Sequence, residues 1–185
     1  MSMEVSEFLR NCREHYPSLP EDDLLSVLRC KMEPAPDGEP DDVNAEFREA
    51  LCRELNRTLQ KEDRYFIHYL LEQEILYHRA LPGGVYFNIQ RCAYLLFRLG
   101  YVDDSLLIWR AKTVNFDTHC GVDVQLLVGA GVEDTIAWLK NEGSLDAQNA
   151  VSWIEGCLGT GDFKNLAGYR ESANSTSTTL SNTSL

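Results

Sequence analysis

A long helix-forming stretch lies near the middle of the chain, where residues 62–80 read EDRYFIHYLLEQEILYHRA. Its apolar and aromatic residues recur at spacings of three and four, which is the period of one face of an α-helix. They occupy both sides of that helix: Tyr65, Phe66, Tyr69, Leu70, Leu76 and Tyr77 on one, and Ile67, Leu71 and Ile75 on the other. A helix that is apolar on more than one face is typical of a central position between neighbouring helices.

The same period recurs on both sides of this stretch and predicts an all-α fold. Upstream, the apolar residues of 43–60 fall four apart, and downstream 87–99 and 147–158 carry further apolar stripes. Three of the later helices contain related strings around Trp109, Trp138 and Trp153, which favours stacked helical hairpins as well as a simple bundle. The tryptophan spacing is not a fixed period, so the pattern predicts repeat-like packing and no named repeat family.

Breaks in the helical pattern predict the domain organisation. Residues 33–42 read EPAPDGEPDD, and three prolines and a glycine cannot continue a helix or the interior of a sheet. We therefore expect an N-terminal helical pair over 1–32, a linker or exposed loop over 33–42, and a main helical domain over 43–168. Residues 169–185 are rich in Ser, Thr and Asn and are predicted to be a disordered tail.

Composition limits the classes of partner. The 185 residues carry a formal net charge of −12, which repels nucleic acid and anionic membranes and would attract a basic protein. No apolar run is long enough for a membrane span, and the acidic N-terminus has no signal-peptide pattern. Six cysteines are scattered singly without a CxxC pair, which indicates reduced thiols. These features predict a cytoplasmic protein with neither a metal nor a cofactor.

The densest group of reactive side chains lies in residues 115–123, NFDTHCGVD. The segment is flanked by two predicted helices, so it is predicted to be a loop, and Asp117 or Thr118 is a possible cap for the helix that follows. Three side chains there are typical metal ligands or acid–base groups, and a fourth is a possible nucleophile beside a histidine: Asp117, His119, Asp123 and Cys120. A purely structural role or a partner contact explains the same residues.

Three functional hypotheses follow. The favoured one is a non-enzymatic protein-binding module, with Trp109, Trp138 and Trp153 as candidate contact residues. Its more specific form is an acidic inhibitor or immunity-type protein for a basic partner. The first alternative is a small metal-dependent or Cys/His hydrolase that uses Asp117, His119, Cys120 and Asp123. The second is a regulatory scaffold with a modifiable Ser/Thr-rich tail.

Overall fold

A computed structural model describes residues 4–15, 25–36, 38–81 and 87–170. The helices, in chain order, are α1 (Val5–His15), α2 (Ala45–Thr58), α3 (Arg64–Ala80), α4 (Phe87–Leu99), α5 (Asp104–Lys112), α6 (Phe116–Gly121), α7 (Val132–Glu142) and α8 (Leu145–Thr160). Single 3₁₀ turns occupy Leu25–Leu28, Lys61–Asp63 and Val124–Val128, and residues 166–170 are helical again. The predicted all-α class is confirmed.

Two compact units divide the chain, and each is described by itself. The first comprises Met1–Leu95 and Ala111–Val122, and the second comprises Leu96–Arg110 and Asp123–Leu185. Residues 171–185 of the predicted tail lie outside the described residues. Tyr169 and Arg170, at the start of the predicted tail, are helical. The predicted domain boundaries otherwise stay predictions.

The proline-rich segment 33–42 takes part in a β-hairpin in the first unit. Strand β1 (Met32–Pro34) pairs antiparallel with β2 (Pro40–Asp42), which is the only sheet within the described ranges. Pro34 and Pro40 face each other at the end of the ladder next to the turn, where a missing amide proton does least harm. Gly38 has a φ of 88°, which the turn requires and few other residues adopt. The sequence predicted a linker or exposed loop here because prolines cannot continue a helix or the interior of a sheet. Both strands of this hairpin are edge strands, which that argument does not exclude.

A buried ionic cluster holds this hairpin to two helices. Arg48 of α2 donates from Nη2 to Asp42 Oδ2 over 2.6 Å and from Nε to Glu74 Oε1 of α3 over 2.8 Å. All three side chains are inaccessible or nearly so. Asp42 Oδ1 also accepts the backbone amides of Lys31 and Asn44. Burial alone would raise the pKa of the Asp42 carboxyl, but Arg48 and these two amides outweigh burial and lower the pKa.

The second unit is built around a tight helical hairpin and a close backbone approach. Gly143 ends α7 in the left-handed conformation, and Ser144 Oγ then accepts the Ala147 amide at the start of α8. A Cβ added at Gly129 would lie 2.9 Å from the carbonyl oxygen of Phe97, so only glycine fits there. The Phe97 ring packs edge-on against Tyr169, with centroids 5.7 Å apart.

Candidate functional site

Within the segment singled out by its chemistry, residues 115–123, Phe116–Gly121 form a short helix and not the predicted loop. Asn115 is its N-cap: Asn115 Oδ1 accepts the Thr118 amide at 2.9 Å, and Thr118 Oγ1 accepts the Asn115 amide at 3.1 Å. These two hydrogen bonds satisfy amides that would otherwise be unpaired at a helix start. The predicted cap at Asp117 or Thr118 for the next helix is wrong, because both residues lie within α6. Asp123 is the residue that precedes the following 3₁₀ turn, Val124–Val128.

A buried lysine braces the other end of α6. The Lys112 side chain is only 4% exposed, and its ammonium donates to the carbonyl oxygens of His119 at 2.5 Å and Val122 at 2.7 Å. Thr118 Oγ1 donates in turn to the Lys112 carbonyl oxygen at 3.2 Å. Carbonyls at the end of a helix attract a cation, and a buried cation requires such acceptors. Lys112 therefore fixes the end of α6 to the end of α5.

His78, in the last turn of α3, contacts the start of α6. Asn115 Nδ2 donates to the His78 carbonyl oxygen at 3.1 Å. The His78 side chain is fully buried, and neither ring nitrogen has a hydrogen-bond partner within the described part of the chain. Burial lowers the pKa of His78, and the Asp117 carboxylate partly opposes that shift. Burial therefore favours the neutral form of the imidazole.

The outer side of α6 is strongly exposed. Phe116 is 79% exposed, the largest exposure among the large apolar side chains within the described ranges. Cys120 is also exposed and free. An apolar ring that gains almost nothing from burial thus sits on a helix that is anchored at both ends by partly or fully buried polar contacts.

The predicted catalytic residues fall in different places. Asp117, His119 and Cys120 belong to α6 in the first unit, whereas Asp123 belongs to the second unit and its Oδ2 accepts the Tyr169 hydroxyl at 2.8 Å. Across residues 4–15, 25–36, 38–81 and 87–170, no three His, Cys, Asp or Glu side chains are placed to hold a metal ion. Burial, and then the Lys112 ammonium, lower the pKa of His119.

Searches of protein-family models, curated proteins and solved structures find no match to this chain. The geometry of α6 and its neighbours is therefore what indicates a role. Among the described helices, none has the length and apolarity needed to cross a bilayer.

The three tryptophans predicted as contact residues belong to the second unit. Trp109 is buried, Trp138 is half-buried, and Trp153 is 40% exposed with its ring centroid 6.5 Å from that of Trp109. Sequence reasoning missed Phe116, Lys112 and His78 as parts of one arrangement. The spacing Asn115-x-x-Thr118 was the available signal, since it resembles a capping box and predicts a helix start directly before Phe116.

Proposed function

We propose that the protein is a non-enzymatic binding module that uses the outer side of α6 to contact a basic protein, with Phe116 as the central contact. The observation that carries this proposal is the 79% exposure of Phe116 on a helix anchored at both ends. Large aromatic side chains dominate the binding energy of protein interfaces when a partner covers them. A rigid presentation also lowers the entropy lost on binding.

The anchoring of α6 supports a role beyond packing. The buried Lys112 ammonium donates to the carbonyl oxygens of His119 and Val122, and the buried Thr118 hydroxyl of α6 donates to the Lys112 carbonyl oxygen. The helix nevertheless leaves its apolar residue Phe116 in solvent. Burying charged and polar groups costs free energy that hydrogen bonds only offset. An arrangement of this kind gives the segment a defined shape, which is what a recognition surface needs.

Charge supports the choice of a basic partner. The chain carries a net charge of −12, and the half-buried Asp117 directly follows Phe116. Opposite charge on the partner speeds association and disfavours acidic competitors. The hydrolase and scaffold alternatives stay predictions, and no contact among the described residues favours either of them.

The test compares the wild-type chain with Phe116→Ala and with Leu145→Ala, which truncates a residue that is 72% exposed in the second unit. Each chain is immobilised, partners are captured from a lysate, and any captured protein is purified and titrated by calorimetry at two salt concentrations. We expect a partner with an isoelectric point above about 9. Phe116→Ala should weaken its binding at least about tenfold, whereas Leu145→Ala should not.

Three results would overturn the proposal: no captured protein at all, an acidic partner, or equal binding by the wild-type chain and Phe116→Ala. Binding that does not weaken with added salt would remove the electrostatic part of the proposal, because attraction between exposed charges is screened by salt.

A further inference from the structure

His78 combines three features that together indicate more than a packing role. It is fully buried, its two ring nitrogens lack partners among the residues that the structure describes, and its backbone carbonyl oxygen receives the Asn115 side chain that caps α6. A neutral imidazole has one donor and one acceptor nitrogen, and a protonated one has two donors and a charge. In the closed conformation, neither nitrogen of a protonated ring would have a hydrogen-bond acceptor among the described residues.

We propose that His78 is a pH-sensitive latch, which releases α6 and the Phe116 surface when its ring is protonated at mildly acidic pH. The proposal concerns regulation of the surface described above, and its effect on binding rests on that proposed function. The release of α6 itself does not.

The surroundings of the His78 ring determine the direction in which its pKa is shifted. Asp117 on α6 is the charged group acting on His78, and the Tyr77 ring packs edge-on beside it on α3, with centroids 5.2 Å apart. Burial is the larger influence on the ring and Asp117 the smaller one. A proton is therefore bound more tightly when the ring reaches water than when it is enclosed.

This difference in proton affinity determines whether a lower pH favours the open or the closed state. The pKa of His78 is lowered in the closed state, whereas a solvated histidine titrates near about 6.5. Between these two values the open state binds more protons than the closed state, so closure is favoured at neutral pH and weakens as the pH falls below about 6.5. If the closed ring stays neutral throughout, lowering the pH from about 7.5 to about 5.5 shifts the opening equilibrium by up to about tenfold.

Hydrogen exchange of the full chain tests this shift without any partner. Deuterium uptake by a peptide covering residues 112–122 is compared at about pH 7.5 and 5.5, with exchange times scaled for the intrinsic pH dependence of amide exchange. We expect opening of this segment to increase several-fold at the lower pH in the wild-type chain. His78→Gln should abolish the increase, and the matched control His68→Gln, on a half-exposed position of the same helix, should retain it.

A second measurement on the wild-type chain covers the case in which His78→Gln does not fold. In an NMR titration, the ring of His78 in the closed state should show no midpoint near about 6.5. Unchanged exchange of 112–122, or a closed-state ring that titrates near that value, would overturn the latch. Partner binding that is lost at both pH values with α6 still opening would contradict only the proposed surface.

Discussion

Asn115 and His78 join helix α6 to helix α3: the Asn115 side-chain amide donates to the His78 carbonyl oxygen over 3.1 Å while its oxygen caps α6. One side chain therefore defines both where α6 begins and which helix it rests against. The Phe116 ring follows directly in the chain, so its position depends on this contact.

Replacing Asn115 with alanine should destabilise the first unit by about 1–2 kcal/mol, because the helix cap is lost together with the bond to His78. Urea denaturation measures the change. Ser144→Ala is the matched control, since Ser144 caps α8 in the second unit through the Ala147 amide. Both variants should lose stability, but only Asn115→Ala should increase hydrogen exchange over 112–122. Equal exchange in both would show that Asn115 does not hold α6.

Loss of the cation from the buried ionic cluster should destabilise the first unit strongly. Arg48→Met leaves the Asp42 and Glu74 carboxylates buried without their cation, which should cost about 3–5 kcal/mol. The control is Arg53→Met, which removes an exposed pair with Glu49 and should cost less than about 1 kcal/mol. Chemical denaturation followed by circular dichroism compares the two. Similar losses would mean that Arg48 contributes no more than a surface charge.

Helix periodicity predicted most of the fold, since burial of an apolar stripe is a local property of sequence spacing. The pattern over 62–80 corresponds to α3 at Arg64–Ala80, and the pattern over 147–158 lies within α8 at Leu145–Thr160. The hairpin at 32–42 was not predicted, because prolines are usually read as breaks in regular structure. In a two-stranded hairpin, however, both strands are edge strands, where proline is tolerated. Whether a short strand forms thus depends on where its prolines lie in the ladder more than on how many there are.

The polar interior could not be predicted in the same way. Arg48 lies on an amphipathic helix whose charged residues are normally assigned to solvent. Its burial depends on Asp42 of the hairpin, 6 residues earlier, and on Glu74 of α3, 26 residues later. Lys112 likewise becomes buried because its ammonium meets the carbonyl oxygens of His119, in α6, and of Val122, directly after α6. Both outcomes are tertiary, and spacing along one helix carries no information about them.

Thiol reactivity should separate the exposed cysteine from the buried ones. Burial, and secondarily Asp63, raise the pKa of Cys12 to about 12, and a hydrogen bond with Cys52 together with burial raises the pKa of Cys92. A high pKa leaves little of the reactive thiolate at pH 8. Iodoacetamide labelling followed by mass spectrometry should therefore modify Cys120 first, while Cys12, Cys52 and Cys92 react only in denaturant. Early labelling of Cys92 would contradict its burial.

Phe116→Ala should leave stability within about 0.5 kcal/mol of the wild-type value, because a ring that is 79% exposed loses little contact when it is removed. Phe66→Ala is the matched comparison in the same unit: this ring is 1% exposed, and its removal should cost about 3–5 kcal/mol through the cavity it leaves. Thermal unfolding of the two variants measures the difference. A large loss in Phe116→Ala would place that ring in the packing of the unit and remove the reason for assigning it to a partner, whereas an unchanged melting temperature with weakened binding would support its role as a contact.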